Sequence, residues 1–404
     1  MREEFRMSRS FSAFALATSL CAQGGPIYIV DAAGGPGTNY ADIQAALFAV
    51  PDGSTLLVRP GTYASFMIDG KGVTILGDPS FTLGTPATAL PYFVVQNTQA
   101  HQRVLVRGFA GYISFPWPVG PMVNVTNALG PVTLDGANWA SNCPLTITGS
   151  PQVAVRNWSI VGHRSAALFT CWISNSGVVF ELCALTGVSA WFSTASPPGQ
   201  PGLTANSSHV QLVHTSVLGG QGSQAWPFPA WPGGPAISMN ASSLRAIGLS
   251  NHAITGGTTP GTGQVPAITG TGVARVDPMI PLTAVPTGVA VTQVTMPALL
   301  ADSAPPGGVV TARRFGAPSV LCAVALSLRA PSFTLPFLPD PIWLDPAGWF
   351  VAAAGIAPSS GPFAATLVVP NVPTLRGFQF VWQAADLDPT GIVAVSNPSP
   401  SFVR

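Results

Sequence analysis

Charged residues are scarce in this chain. Lysine, arginine, aspartate and glutamate make up 8% of the 404 residues, and Lys71 is the only lysine. With a formal net charge of +1 and no basic run, the protein has nothing to neutralise a phosphate backbone, so the composition excludes a typical nucleic-acid partner. The long helices and salt-bridged surfaces of many cytosolic enzymes are not expected either.

Long apolar runs are also missing beyond the N-terminus. The mean hydropathy is +0.40. However, 43 glycines and 41 prolines interrupt the apolar residues, and no later segment reaches the roughly 18 apolar residues of a membrane-spanning helix. We therefore expect no membrane insertion of the mature chain. Frequent glycine and proline instead favour many short strands joined by turns.

Residues 1–22 have the pattern of a signal peptide. Arg2, Arg6 and Arg9 precede an apolar run at 11–20, and Ala22 offers a small residue for cleavage. The mature protein is therefore predicted to be secreted, either extracellular or on the cell surface. Its four cysteines allow up to two disulfides, while free buried thiols fit a large β core equally well. These cysteines are Cys143, Cys171, Cys183 and Cys322.

The stretch after the signal peptide is predicted to fold as strand, short helix, turn and strand. Ile43, Ala46, Leu47 and Val50 fall on one face of the helix. An apolar face of this kind needs cover, so we expect the helix to plug the open end of a barrel or solenoid.

This stretch resembles the opening of pectin-lyase-like β-helix proteins. The resemblance implies a right-handed parallel β-helix and implies no particular reaction. The further motifs of pectin methylesterases and polygalacturonases are absent, so no functional residue of those enzymes is carried over. The residues that carry the resemblance are Tyr40, Ile43, Gln44, Ala45, Leu47, Pro51, Gly53, Leu56, Val58, Pro60, Gly61, Thr62 and Tyr63.

A repeat then appears, with apolar or small residues at offsets 0, 2, 5 and 7 and glycine at offset 9. The step from offset 2 to offset 5 breaks the alternation of one strand, so each repeat is predicted to be two strands around a corner. Such repeats stack as coils of a solenoid, which we assign to residues 23–280. The runs are Val153, Val155, Trp158, Ile160, Gly162; Val178, Phe180, Cys183, Leu185, Gly187; Val210, Leu212, Thr215, Val217, Gly219; and Ile247, Leu249, His252, Ile254, Gly256.

Equivalent residues of neighbouring coils should stack about 4.8 Å apart. Offset 3 then places Arg156 beside Glu181 on the outer face, which we interpret as a surface salt bridge worth roughly 0–1 kcal/mol. Offset 4 carries Asn157 and Asn251, which suit the left-handed backbone of a corner. The first residues of the runs are predicted to form one column, namely Val153, Val178, Val210 and Ile247, with looser runs at Val73, Val104 and Val132.

Residues 281–404 show a different pattern. Alternating apolar residues punctuated by proline occur at 333–337, 365–370 and 377–384. We expect a smaller antiparallel β-sandwich in this part of the chain.

The candidate catalytic pair is His163 with Arg164. The pair follows the offset-9 glycine Gly162 and should lie at a loop edge, although a solvated turn explains it equally. The other histidines are interpreted as structural, and no metal or cofactor is predicted. The solenoid has few of the paired carboxylates or cationic bases that polysaccharide lyases and glycoside hydrolases use.

Aromatic residues in the loops between coils suggest a different kind of site. If these loops leave one edge of the solenoid, their rings form a shelf for sugar rings, whereas loops folded back would bury them as small cores. Three functions stay open: a non-catalytic extracellular protein that binds polysaccharide or surface glycan, which we favour; a lyase or glycoside hydrolase acting on acidic polysaccharide; and a purely structural surface component. The loop aromatics are Tyr112, Trp117, Trp191, Phe192, Trp226 and Trp231.

Overall fold

The structure is a computed structural model. It describes residues 25–83, 93–110, 123–136, 144–162, 170–190, 198–224, 230–248, 252–261, 263–333, 335, 336, 338, 340–387, 391 and 393–404. In these residues the chain is almost entirely β, with one α-helix, α1 (Ile43–Ala49), and one 3-10 helix, Pro373–Leu375.

Twenty-five strands precede residue 294. They are β1 Ile27–Val30, β2 Ser54–Val58, β3 Thr62–Tyr63, β4 Phe66–Asp69, β5 Val73–Leu83, β6 Phe93–Gln96, β7 Val104–Ala110, β8 Val123–Thr126, β9 Val132–Asp135, β10 Leu145–Thr148, β11 Val153–Arg156, β12 Ser159–Val161, β13 Cys171–Ser174, β14 Gly177–Glu181, β15 Ala184–Thr186, β16 Leu203–Asn206, β17 His209–Val213, β18 Ser216–Leu218, β19 Ile237–Ile247, β20 Ile254–Thr255, β21 Thr258–Thr259, β22 Gly263–Gln264, β23 Ile268–Val276, β24 Leu282–Thr283 and β25 Thr287–Gln293.

Ten further strands complete the chain. They are β26 Ala298–Ala301, β27 Val309–Phe315, β28 Leu321–Ser327, β29 Arg329–Phe333, β30 Ile342–Leu344, β31 Phe350–Ile356, β32 Phe363–Val368, β33 Gln379–Leu387, β34 Val393–Val395 and β35 Ser399–Phe402.

The first part of the chain is a parallel β-helix, as predicted. Apart from the small β21–β22 hairpin, its strands pair in parallel, in a folded sheet of eighteen strands and a second sheet of five. The inward residues stack from coil to coil and form one continuous apolar core. The predicted column is present as the series Val73, Val104, Val132, Val153, Val178 and Val210, each paired with the next.

The prediction for the fourth run is wrong at its beginning. Val210 pairs with Leu244, whereas Ile247 pairs with Val213 and faces outward. Ile254 nevertheless pairs with Val217, as expected. The corner between Ile247 and Ile254 is therefore three residues longer than the corner after Val213, so counting back from Ile254 by the regular offset reaches Ile247 rather than Leu244.

The corners use left-handed backbone, as the offset-4 asparagines predicted. Asn157 has φ 56°, and Leu182 and His214 occupy the same corner position with φ 55° and 47°; Asn251 lies outside the described residues. A second corner, not anticipated from the sequence, carries a ladder of serines. The backbone N–H of Ser150 donates to Ser176 Oγ at 3.1 Å, and the same contact repeats from Ser176 to Ser208 and from Ser208 to Ser242.

Helix α1 covers the N-terminal end of the solenoid, as predicted. Asp42 caps the helix by accepting a hydrogen bond from the backbone N–H of Ala45 at 3.0 Å. Ile43, Ala46 and Leu47 are buried and join the solenoid core.

The C-terminal part is a β-sandwich. Strands β26, β27 and β32 form one antiparallel sheet, and β28, β31, β33, β34 and β35 form the other. A second apolar core lies between them and includes Leu299, Val310, Leu326 and the fully buried Trp382. The predicted division of the chain at residue 280 stays a prediction; the last parallel strand, β25, ends at Gln293, and β26 begins at Ala298.

The sandwich packs on one outer face of the solenoid. Every residue of β9 and β11 is buried, because the core covers one face of these strands and the sandwich covers the other. Val179 and Val213 point outward from the solenoid and pack in an apolar cluster with Trp343 of the sandwich.

This contact corrects the interpretation of Arg156 and Glu181. The predicted ion pair is formed, with Arg156 Nε 2.6 Å from Glu181 Oε2, but both side chains are buried rather than exposed. Arg156 also donates to the carbonyl of Ala301, and Asn397 donates to Glu181, so the sandwich encloses the pair. Burial raises the pKa of Glu181 against the opposing effect of Arg156.

The described cysteines Cys171, Cys183 and Cys322 are free and buried; Cys143 lies outside the described residues. Burial raises the pKa of the Cys183 thiol to about 12, which makes it unreactive at neutral pH. No helix in the described ranges combines the length and apolarity needed to cross a bilayer.

Candidate functional site

Positive charge is concentrated where the first coils of the solenoid meet the sandwich. A cavity of about 500 Å³ opens there, and we call it the arginine cleft. Four arginines line it, and no acidic residue is among its lining residues. The lining residues are Ile29, Leu57, Val58, Arg59, Pro60, Leu76, Gly77, Arg107, Arg376 and Arg404.

The sandwich supplies one wall through the segment after the 3-10 helix. Thr55 Oγ1 and Thr74 Oγ1 of the solenoid donate to the carbonyls of Arg376 and Gly377, each at 3.3 Å. Gly377 has φ +84°, and a Cβ there would lie 2.6 Å from Thr55 Oγ1, so only glycine allows this close approach. The anchored backbone fixes the position from which the exposed Arg376 side chain extends.

The other arginines are held by the fold. Arg59 Nη1 lies 3.0 Å from Asp31 Oδ2, and hydrogen bonds from the backbone N–H of Ala33 and from Arg59 lower the pKa of that carboxyl. Arg107 Nε lies 3.3 Å from Asp135 Oδ2, and its guanidinium carbon lies 4.9 Å from the centre of the Phe402 ring. Arg404 Nε donates to the carbonyl of Ser303 at 2.9 Å.

The cleft is electrostatically prepared for an anion. Burial lowers the pKa of Arg107, the neighbouring Asp135 opposes this, and the positive charges of Arg404 and Arg156 lower it further. Arg404 and Arg107 therefore repel each other in the cleft, while Asp31 and Asp135 partly balance Arg59 and Arg107. A bound carboxylate or sulfate would relieve this repulsion.

A second cavity of about 600 Å³ adjoins the cleft and shares Arg107 and Arg404 with it. Two carboxylates line it, and each is held by an arginine: Asp135 by Arg107, and Asp302 by Arg313 at 3.0 Å. Both carboxylates are therefore engaged with an arginine, and neither is presented alone as a catalytic acid.

Two histidines lie between the solenoid and the sandwich. His209 Nδ1 is 2.7 Å from Ser243 Oγ, and Gln211 Nε2 is 3.1 Å from His209 Nε2. His214 packs edge to face against His252, with ring centres 5.3 Å apart. Burial lowers the pKa of both His209 and His214 to about 4, with the charge of His252 contributing at His214.

These histidines should make the fold sensitive to acid. Because the folded protein keeps them neutral while the unfolded chain titrates near 6.5, stability falls as the pH drops from about 7 towards 4. Each should remove about 2 kcal/mol from the free energy of unfolding between pH 7 and pH 5. In urea denaturation between pH 7 and pH 5, the free energy of unfolding of His209→Gln should fall by about 2 kcal/mol less than that of the unsubstituted protein. His101→Gln, which changes an exposed histidine, should lose as much stability as the unsubstituted protein. If His209→Gln lost as much stability as the unsubstituted protein, buried His209 would not be a source of the acid sensitivity.

Most of the site residues predicted from the sequence lie outside the described residues: His163, Arg164, Tyr112, Trp117, Trp191, Phe192 and Trp226. Trp231 is described and is partly buried. Its backbone N–H donates to the carbonyl of Ser223 at 2.8 Å, and the N–H of Ser223 donates back at 3.2 Å. The aromatic shelf and the catalytic pair therefore stay predictions.

Sequence reasoning did not find the arginine cleft. Its four arginines come from four separate parts of the chain, and only the packing of the sandwich on the solenoid brings them together. One signal was available: Arg107 occupies offset 3 of the Val104 run, the outward position that also carries Arg156.

No protein-family model matches this chain, and no curated protein matches it. Among solved structures, it is similar to the enzymatically active domain of tailspike protein 2 of bacteriophage CBA120, at 10% identity and a TM-score of 0.28 over 87% of this chain and 66% of that one. It is also similar to the full-length tailspike protein 2 from the Escherichia coli O157:H7 bacteriophage CAB120, at 10% identity and a TM-score of 0.22 over 95% of this chain. This chain spans slightly under two thirds of both tailspike chains, 66% and 64%.

Proposed function

We propose that this protein binds an acidic polysaccharide in the arginine cleft and does not cleave it. The observation that supports this proposal is the convergence of Arg59, Arg107, Arg376 and Arg404 on one cavity without a lining carboxylate. The chain has 15 arginines, so more than a quarter of them line one cavity of an otherwise charge-poor protein.

The chemistry of the cleft fits a uronate residue. A planar guanidinium matches a carboxylate through two parallel hydrogen bonds. Ile29, Leu57 and Leu76 add apolar surface that suits the C–H faces of a pyranose ring. The volume of about 500 Å³ falls within the range of roughly 300–1,000 Å³ usual for small-ligand sites.

Binding without cleavage follows from the carboxylates near the cleft. Asp135 and Asp302 are each paired with an arginine. Burial raises the pKa of Glu181, but this residue is fully enclosed under the sandwich and a polysaccharide has no access to it. The carboxylates described around the cleft are therefore either paired with an arginine or out of reach of a polysaccharide, and none is placed as the acid of a glycoside hydrolase.

The predicted signal peptide would bring this site to extracellular glycans, either in the medium or on a cell surface. The loop aromatics Trp191, Phe192 and Trp226 are proposed as a second contact region for a long polysaccharide chain. A purely structural surface role is the alternative if no glycan binds.

The binding test compares polygalacturonate and alginate with neutral dextran by isothermal titration calorimetry. We expect both acidic polymers to bind, dextran not to bind, and added salt to weaken binding. Arg376→Gln should weaken binding about tenfold, since it removes a charge-assisted contact from an exposed side chain. Arg275→Gln is the matched control, because Arg275 lines neither cavity and its partner Asp340 keeps its ion pair with Arg245. Its affinity should stay within about twofold of that of the unsubstituted protein.

Equal binding by Arg376→Gln and the unsubstituted protein would exclude the arginine cleft as the site. The polymers that bind are then incubated with the protein and assayed for new reducing ends and for the ultraviolet absorbance of unsaturated uronates. Product formation would replace the proposal with a lyase or hydrolase. If His163→Ala abolished that activity, the catalytic pair predicted from the sequence would be supported.

A further inference from the structure

The solenoid is closed at one end and open at the other. Helix α1 covers the N-terminal coil. At the opposite end, β25 pairs with β23 along one edge, and no described strand pairs with its other edge. β25 passes through a corner at Gly288, which has φ 76° and a register shift beside it. Its five regular residues, 289–293, are about 16 Å of strand and present an unpaired backbone edge.

The side chains around this edge are apolar and exposed. Val285 is 81% exposed and Met279 is 54% exposed. Val289 and Val291 point towards the solenoid core, but they are only partly buried because no further coil follows. In every earlier coil the equivalent apolar surface is covered by the next coil. The last coil has no such cover, so its apolar surface is exposed.

Charge, the commonest protection of an open strand edge, is missing here. Proteins place charged side chains, proline or bulges on open edges to prevent strand pairing. Residues 279–294 contain no charged residue, and β25 itself contains no proline. A partner strand would therefore meet no charge repulsion along this edge.

The open edge restricts how a second copy can pair. Head-to-tail stacking would place β25 against the N-terminal coil of the next molecule, where α1 already covers the core. The open ends of two copies can meet only if a two-fold axis relates the copies. Their β25 strands then run antiparallel.

We propose that two copies of this chain associate through their β25 strands around a two-fold axis at Ala290. In this register Val289 lies opposite Val291 of the partner subunit. The alternation of side chains then brings the four valines onto one face, where they continue the two solenoid cores across the interface. The strand is self-complementary in this register.

This proposal does not depend on glycan binding. The arginine cleft is built from β1, β2, β5 and β7 and from the sandwich, whereas β25 belongs to the last coil. A protein that dimerises but binds no glycan, or binds glycan as a monomer, would separate the two proposals.

The test measures the mass of the full chain by light scattering after size exclusion at micromolar concentrations. The unsubstituted protein should be a dimer. Ala290→Lys should raise the dissociation constant at least about tenfold, because two lysines then lie directly opposite each other. Ala290 is exposed at the open edge, so the folded monomer tolerates the change. Ala290→Glu should act in the same way, and an equimolar mixture of the two variants should restore the dimer.

Val351→Lys is the matched control. Val351 is 48% exposed on β31, an edge strand of the sandwich, so this variant adds the same charge to a different strand edge. It should leave the dimer unchanged. The proposal is overturned if the unsubstituted protein is monomeric, if Ala290→Lys remains dimeric, or if Val351→Lys alone dissociates the dimer.

Discussion

Glu181→Ala is expected to destabilise the protein by about 3–5 kcal/mol, because it leaves the Arg156 guanidinium buried without its counter-charge. The Arg156 side chain is 6% exposed and lies under the sandwich, so water cannot replace the lost carboxylate. The neutral carbonyl of Ala301 continues to accept a hydrogen bond from Arg156, but it does not compensate the charge. Chemical denaturation followed by tryptophan fluorescence measures the loss.

Two variants show whether burial causes this effect. Asp302→Ala breaks the ion pair with Arg313, whose side chains are 46% and 42% exposed, and should cost less than about 1 kcal/mol. The double variant Arg156→Met with Glu181→Leu removes both charges and should recover most of the stability lost in Glu181→Ala. If Glu181→Ala and Asp302→Ala cost the same, the pair is exposed to solvent and the sandwich does not cover it in solution.

The β-helix could be predicted from the sequence because each coil repeats a local pattern. Valines at Val104, Val132, Val153 and Val178 mark the same inward position, and hydrophobic periodicity is a local property. The pattern gave a wrong inward residue at Ile247, because a longer corner precedes Ile254 and shifts the offsets of this run. A corner of variable length leaves no periodic signal.

The environment of the outer face could not be predicted in the same way. The sequence places Arg156 beside Glu181, but their burial depends on Asn397 and Ala301, which lie more than a hundred residues away in the chain. The arginine cleft has the same origin, since Arg376 reaches the solenoid only through the docked sandwich. No repeating sequence pattern relates the residues of the solenoid to the residues of the sandwich that they contact.

Gly219→Ala should destabilise the solenoid strongly, with an expected cost of about 3 kcal/mol. A Cβ at Gly219 would lie 2.1 Å from the carbonyl oxygen of Gly234 and 2.7 Å from the backbone nitrogen of Gly257. Both neighbours are backbone atoms, so no side chain can rotate away, and the coils must move apart. Three glycines at offset 9, Gly187, Gly219 and Gly256, therefore mark a wall of the solenoid where backbone packs directly on backbone.

Gly348→Ala separates this packing effect from the general cost of replacing glycine. Its Cβ would meet only a side-chain oxygen of Asp345 at 4.0 Å, so the substitution should change stability by less than about 0.5 kcal/mol. Gly187→Ala should behave like Gly219→Ala, because its Cβ would lie 2.1 Å from the carbonyl oxygen of Gln200. Denaturation midpoints of the three variants show whether glycine packing between coils stabilises the solenoid. If Gly219→Ala is as stable as Gly348→Ala, the coils do not pack through their glycines, and the repeat of glycine at offset 9 has another origin.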